Sequence, residues 1–328
     1  MSHSVRQPIA KLESAMRLEQ TFLISQPQLR TTSRGDYYIA AFLSDATGKL
    51  NGRMWQASPE LFASLPEEGF VVVKGRTEMY QENLQLVIES IRPVDPSEVE
   101  FADFLPTTRN DISKMFSEMV ECLRKVENPH LLLLIKHFLE DRELMDQFRR
   151  APAAIGLHHA YIGGLLEHTL SLLQLALRIL PHYPDLDKDL VLTGLFLHDI
   201  GKTSELEYNV SFKYSDEGQL TGHIVMGIVL TEQKIAVLEA AGHQFPKLLK
   251  DSLLHIIASH HGQLEFGSPI TPRTPEAFAV HHIDNLDSKV NLTLSMIAAD
   301  VGKSDWTNYI RAIEAPLFKV RPGQKTDR

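Results

Sequence analysis

Fourteen of the fifteen histidines in this chain fall between His130 and His282, and only His3 lies outside. Histidine is the commonest metal ligand, so this clustering marks one part of the chain as chemically different from the rest. Five segments in that part carry imidazoles or carboxylates: Glu167-His168-Thr169, His198-Asp199-Ile200-Gly201-Lys202, Gly222-His223-Ile224, Ser259-His260-His261-Gly262 and Ile283-Asp284-Asn285-Leu286-Asp287. Imidazole and carboxylate together suit Mn, Fe, Co, Ni or Zn. An adjacent His-Asp pair at a helix end can give one imidazole to a metal and one carboxylate that bridges two. Two metals bridged at roughly 3.5–4 Å lower the pKa of a shared water and hold a phosphate oxygen. Lys202, three residues after Asp199, can then neutralise phosphate charge. A single histidine on an apolar helix is more often a core or surface residue, but an ordered set of five segments requires five coincidences at once. His130, His137, His182, His243 and His255 fall outside the set and read as structural or surface residues.

Successive members of the set are 30, 24, 37 and 23 residues apart, so they can meet only if several helices converge. The pattern supplies those helices. Apolar residues recur at three and four over Ile112–Val126, Pro129–Glu140 and Arg142–Arg150. Longer helices are predicted at about Gly164–Leu180, Lys188–Asp199, His223–Ala241, Pro246–His260 and Pro275–Ala299. Between them, Ser204–Thr221 alternates Tyr208, Val210, Phe212 and Tyr214 before an Asp216-Glu217-Gly218 turn, which predicts a hairpin over the site.

Residues 17–94 have a different period. Glu19–Leu23, Tyr37–Leu43, Leu50–Trp55, Phe70–Arg76 and Leu84–Ile91 read as short strands separated by turn signals. Ser58 can cap, and Pro59 can begin, one short helix after the third strand. Five strands with that helix fit a small Greek-key barrel of the OB type. Such barrels bind single strands by stacking bases on aromatics over a basic groove. Tyr37, Tyr38, Phe42, Trp55 and Tyr80, with Arg30, Arg34, Arg53 and Arg76, are the candidates. The competing expectation is that most of these aromatics fill the barrel. Residues 1–100 hold 10 Lys+Arg against 13 Asp+Glu, so the barrel has no charge signature of nucleic-acid binding. The prolines Pro93, Pro96 and Pro106 among acids read as a linker.

Composition bounds the rest. A chain of 328 residues with 43% hydrophobic and 23% charged residues has room for two globular domains. A net charge of −9 argues against electrostatic coating of duplex nucleic acid, though a local cleft can still be basic. Runs such as Leu131–Ile135 and Gly163–Leu166 are far short of a membrane span, and the polar start at Ser2, His3 and Ser4 has no signal core. One cysteine, Cys122, cannot form an intrachain disulfide, and a reducing cytoplasm is the expected compartment.

The ordered set resembles the HD superfamily, and one branch more closely. His158-His159-Ala160-Tyr161-Ile162-Gly163-Gly164-Leu165-Leu166-Glu167-His168-Thr169 is similar to the entry motif of the YhaM-type 3′→5′ exoribonucleases. Leu197–Lys202, Gly222–Ile224, His281–Lys289, Ser268-Pro269-Ile270 and Thr274-Pro275-Glu276-Ala277 fit the same branch, as does the barrel ahead of them. The resemblance implies a multidomain α and β chain: an OB-like nucleic-acid-binding barrel over residues 1–95, a linker and first helix over 96–128, an all-α HD bundle over 129–320, and a disordered tail over 321–328.

It further implies metal ligation by His168, His198, Asp199 and Asp284 at one ion, and by Asp199, His223, His260 and His261 at a second. His261 could instead touch substrate or support a ligand. Asp199 and Lys202 are the implied catalytic pair, Lys202 contacting the scissile phosphate. Asp287 is expected to orient a histidine or support its helix. Substrate contacts are expected at His158, His159 and Arg273, with Tyr37 and Trp55 on the barrel. The two histidines could equally cap or pack the next helix, and Arg273 could be an exposed loop charge.

The implied cofactor is a pair of divalent ions, Mn²⁺ first, with Fe, Co, Ni, Zn or Mg as alternatives. The implied partner is single-stranded RNA or single-stranded DNA, with no membrane. The stretch Trp306–Phe318 would give a homo-oligomer surface or pack on its own domain. Three other functions use the same ligands: a phosphohydrolase of a small nucleotide or cyclic dinucleotide, a binding module with a degenerate site, and a di-iron oxygenase.

Overall fold

The computed structural model describes residues 6–81, 83–99, 103–154, 161–208, 213–300, 302 and 304–320. The chain forms two compact units. One runs up to Thr107 and also takes in Glu207 and Lys213; the other begins at Thr108.

The first unit is a closed five-stranded barrel. β1 (Arg17–Thr31), β2 (Tyr37–Asp45), β3 (Gly48–Trp55), β4 (Glu68–Tyr80) and β5 (Asn83–Val94) pair in the order β1-β2-β3-β5-β4, and β4 returns to β1. The one parallel pair is β3 with β5, at Asn51–Arg53 against Gln85–Val87. This order, with α1 (Pro59–Ser64) between β3 and β4, is the OB-type barrel expected from the strand pattern. Ser58 accepts a hydrogen bond from Leu61 N–H at 3.2 Å and Pro59 opens the helix, as the sequence predicts.

β1 is three times longer than expected because it serves two partners. Its first half pairs with β4 and its second half with β2, with a register shift between Ser25 and Gln28. Gln26 takes φ +51° at this bulge, and Ser25-Gln26-Pro27 hides the continuity of the strand.

The barrel core is aliphatic, with one ring: Phe22, Ile24, Ile39, Leu43, Val71, Val73 and Leu86. The expectation that the named aromatics fill the barrel is therefore overturned. On β2, Ile39, Ala41 and Leu43 face inward, so Tyr38 and Phe42 face outward by strand alternation. The segment read as a linker begins inside the barrel. Pro93 and Val94 belong to β5, and buried Phe104 packs edge-on against Phe70 at 5.1 Å.

The second unit is helical. α2 (Ile112–Leu123), α3 (Pro129–Leu139), α4 (Arg142–Arg150), α5 (Gly164–Ile179), α6 (Lys188–Leu197), α7 (Lys202–Glu205), α8 (Asp216–Ala240), α9 (Lys247–Ser259) and α10 (Pro275–Ala299) follow in order. α6 is its centre: every residue from Asp189 to Leu197 is buried. A helix wrapped on all sides has no polar face, and from Leu190 to Leu197 its sequence is apolar but for Thr193. Phe138 and Phe148 pack edge-on against its Phe196.

Two short strands, β6 (Leu206–Glu207) and β7 (Lys213–Tyr214), pair as the expected hairpin; residues 209–212 lie outside the described residues. The expected turn at Asp216-Glu217-Gly218 is instead the first turn of α8, capped by Ser215 through a 2.9 Å bond from Gly218 N–H. Trp306–Phe318 folds back on itself through bridges Trp306–Phe318 and Ile310–Ala315. Among the described residues, no helix is long and apolar enough to cross a membrane.

Candidate metal centre

α6 ends at Leu197, and His198 follows as its last cap. The chain then turns through Asp199-Ile200-Gly201 into α7. The turn places Asp199 at the middle of the helical unit, 3% exposed. It can come this close to α8 only because residue 201 has no side chain: a Cβ at Gly201 would lie 2.1 Å from the His223 carbonyl oxygen and 2.7 Å from Gly227 N. α8 in turn is broken at Gly222, with φ +72° and ψ 153°, so His223 opens a new helical run facing Asp199.

The carboxylate of Asp199 is shared between two groups of ligands. His223 Nε2 and His260 Nε2 lie 3.4 and 3.6 Å from its Oδ1; His198 Nε2 and Lys202 Nζ lie 3.3 and 2.7 Å from its Oδ2. Asp199, His223, His260 and His261 form one set whose donor atoms all fall within 4.8 Å of one another; His168, His198 and Asp199 form a second. Asp284 joins the second set through His168, whose Nε2 is 3.1 Å from Asp284 Oδ1. Asp287, three residues on and on the same face of α10, lies 2.9 Å from His168 Nδ1 and accepts from Ser171 Oγ at 2.5 Å.

Three of the other imidazoles are held by main chain. His198, His260 and His261 donate Nδ1–H to the carbonyls of Leu195, Ile257 and Phe266 at 2.8, 2.8 and 2.7 Å. A carbonyl can only accept, so in the neutral ring Nε2 carries a bare lone pair. His198 Nε2, Asp199 Oδ1, His223 Nε2 and His260 Nε2 are buried with no hydrogen-bond partner among the described residues. Lone pairs facing a carboxylate at 3.3–3.6 Å are repulsive unless cations sit between them. Imidazole and carboxylate donors turned inward fit divalent first-row ions.

The electrostatics agree. Burial would raise the Asp199 carboxyl, but the Lys202 ammonium and His198 hold it well below the usual carboxylate range. Burial would lower Lys202, but Asp199 keeps it above its ordinary value. Burial lowers His260, and burial with the neighbouring His260 lowers His261 to about 4, so both stay neutral and able to ligate. His168 is opposite: burial pulls it down, but its hydrogen bonds to Asp284 and Asp287 raise it to about 9.

The residues expected to touch substrate are more scattered. His158 and His159 lie outside the described residues. Arg273 is exposed, and its main-chain N–H donates to His255 Nε2 at 2.9 Å. Tyr37 and Trp55 are 46% and 44% exposed on the barrel; Tyr38 and Trp55 rings lie 5.1 Å apart, and Arg53 sits over Tyr80 at 4.9 Å. A groove on β1, β2 and β3 is lined by Arg30, Tyr38, Phe42, Asn51 and Arg53.

One residue of the site was not foreseen. Glu205, buried at the end of α7, accepts from both the main-chain N–H and Nδ1 of His223 at 2.9 Å. Burial would raise its carboxyl, but the hydrogen bond from His223 holds it below its ordinary value. The only sequence signal was its place between Lys202 and Gly222, because a four-residue helix has no period to read.

The family model for the HD domain matches residues 165–289. The chain is 34% identical over 317 residues to the 3′-5′ exoribonuclease YhaM of Bacillus velezensis, covering 96% of this chain and 92% of that one. It is 32% identical to the YhaM of Bacillus subtilis, with the same coverage, and 32% identical to that of Geobacillus sp. over 98% and 91%. Among solved structures it matches the second OB-fold domain of replication protein A from Methanococcus maripaludis at 15% identity and TM-score 0.23, over 27% of this chain and 94% of that one. The similarity extends over 91% or more of each of these relatives, and the chain belongs to the YhaM family of 3′-5′ exoribonucleases.

Proposed function

We propose that this protein removes nucleotides one at a time from the 3′ end of single-stranded RNA, using two divalent ions, Mn²⁺ foremost. The observation that carries the reading is the convergence of three buried imidazole nitrogens on Asp199, with no hydrogen-bond partner for them or for Asp199 Oδ1 among the described residues. His168, His198, Asp199 and Asp284 would hold one ion, and Asp199, His223, His260 and His261 the other. When bound, such a pair supplies a hydroxide at neutral pH and polarises a phosphate oxygen.

The chain's own residues do the rest. Asp199 turns one oxygen to each set, which sets their separation. Lys202 Nζ lies against Asp199 Oδ2 and is in reach of a phosphate oxygen beside it, where its charge offsets that developing in the transition state. The outward aromatics and Arg30 and Arg53 of the barrel would hold the unstacked strand. A polymer substrate is favoured over a small nucleotide by this groove. A cytoplasmic location fits such a substrate and the free, buried Cys122.

The test is a time course with Mn²⁺ on 5′-labelled single-stranded RNA, with DNA and a cyclic dinucleotide alongside. A ladder shortening from the 3′ end, abolished by chelation and by Asp199→Ala, is expected. Intact RNA beside a hydrolysed cyclic dinucleotide would overturn the substrate; metal-dependent activity surviving in Asp199→Ala would overturn the site.

A further inference from the structure

The imidazoles around Asp199 are fixed in two ways. Main-chain carbonyls hold His198, His260 and His261, whereas carboxylates hold His168 and His223. The two carboxylates are far apart in sequence and serve different ligand sets: Asp287 on α10 backs His168, and Glu205 at the end of α7 backs His223.

Glu205 is itself tied down. Its main-chain carbonyl accepts from Ser215 N–H at 2.9 Å and Ser215 Oγ at 3.2 Å, and Ser215 caps α8. Gly218 of α8 packs so closely that a Cβ there would lie 2.3 Å from the Glu205 carbonyl oxygen. One residue therefore closes the neck of the β6–β7 hairpin with its main chain and fixes His223 with its side chain. Because Oε1 takes both the N–H and Nδ1 of His223, it sets the position of the residue and the rotation of the ring together, leaving Nε2 aimed at Asp199. A carboxylate behind an imidazole also makes the ring a stronger donor.

We infer that Glu205 is a positioning residue that tunes only the ion held by Asp199, His223, His260 and His261. The inference rests on the two-ion reading above. It makes the two ions separately adjustable, each through its own acid, although they share Asp199.

Calorimetric titration of Mn²⁺ into the full chain stripped of metal tests it. The unsubstituted chain takes up two ions. Glu205→Ala weakens one of them by about 10–100-fold and leaves the other as it was. Glu205→Gln, which keeps an acceptor oxygen and nearly the same shape, loses less. It is read in place of Glu205→Ala if the latter fails to fold, as judged by thermal unfolding of the metal-free protein. Asp287→Asn weakens the other ion. Equal weakening of both ions by the Glu205 variants, or of neither, would overturn the inference while leaving the two-ion site intact. Failure of the unsubstituted chain to bind Mn²⁺ would remove the two-ion reading and this inference with it.

Discussion

Asp199 and Lys202 form a contact that the proposed chemistry must share with substrate. The ammonium lies 2.7 Å from the carboxylate, and both groups are buried or nearly so. Removing Lys202 leaves the ligand sets in place but takes away the ammonium proposed to lie beside the reacting phosphate. Lys202→Ala is therefore expected to lower kcat by about 10²–10³-fold with little loss of bound Mn²⁺, read by steady-state kinetics beside metal analysis. A parallel loss of metal would show that the lysine holds Asp199 rather than phosphate. The imidazoles and carboxylates that the structure brings together could be picked out in the sequence because each lies on or at the end of a periodic helix: His198 closes α6, His260 closes α9, and Asp284 lies on α10. Glu205 was not legible, because its partner is 18 residues away across a hairpin and no repeating pattern joins them.

Among the elements, the turn between α6 and α7 bears most on the site. Gly201 touches the main chain of α8 at two places, so even a methyl group there must push the helices apart. Gly201→Ala should cost about 1–3 kcal/mol in urea unfolding and lower Mn²⁺ affinity as His223 moves away from Asp199. An unchanged unfolding midpoint would mean that α8 yields without strain. Helix periods gave α3, α4, α6 and α10 nearly to the residue. The helix expected from His223 matches the run that opens after the break at Gly222; the run before it was missed, because Gly218 reads as a turn residue yet serves close packing. The length of β1 was hidden by its bulge, because a strand that changes partners midway carries a turn-like signal inside it.

At the scale of the molecule, the barrel and the helical unit carry different parts of the proposed task. Substituting Tyr38 and Trp55 together by alanine removes a pair of outward rings without touching the core. Binding of long single-stranded RNA should weaken about 10–100-fold, while turnover of a small phosphodiester stays constant. Equal loss of both would count against the barrel as a guide for the strand. Net charge gave no hint of this surface, since the aromatics and two arginines gather on one face of a unit that is acidic in sum. The return of β4 to β1 has one more consequence. Among the described strands, closure leaves no edge open along a strand's full length, which blunts edge-to-edge self-association. A strand held by the outward rings and arginines is recognised by side chains, which leaves its selectivity open to change by surface substitution without disturbing the hydrogen-bonded frame beneath.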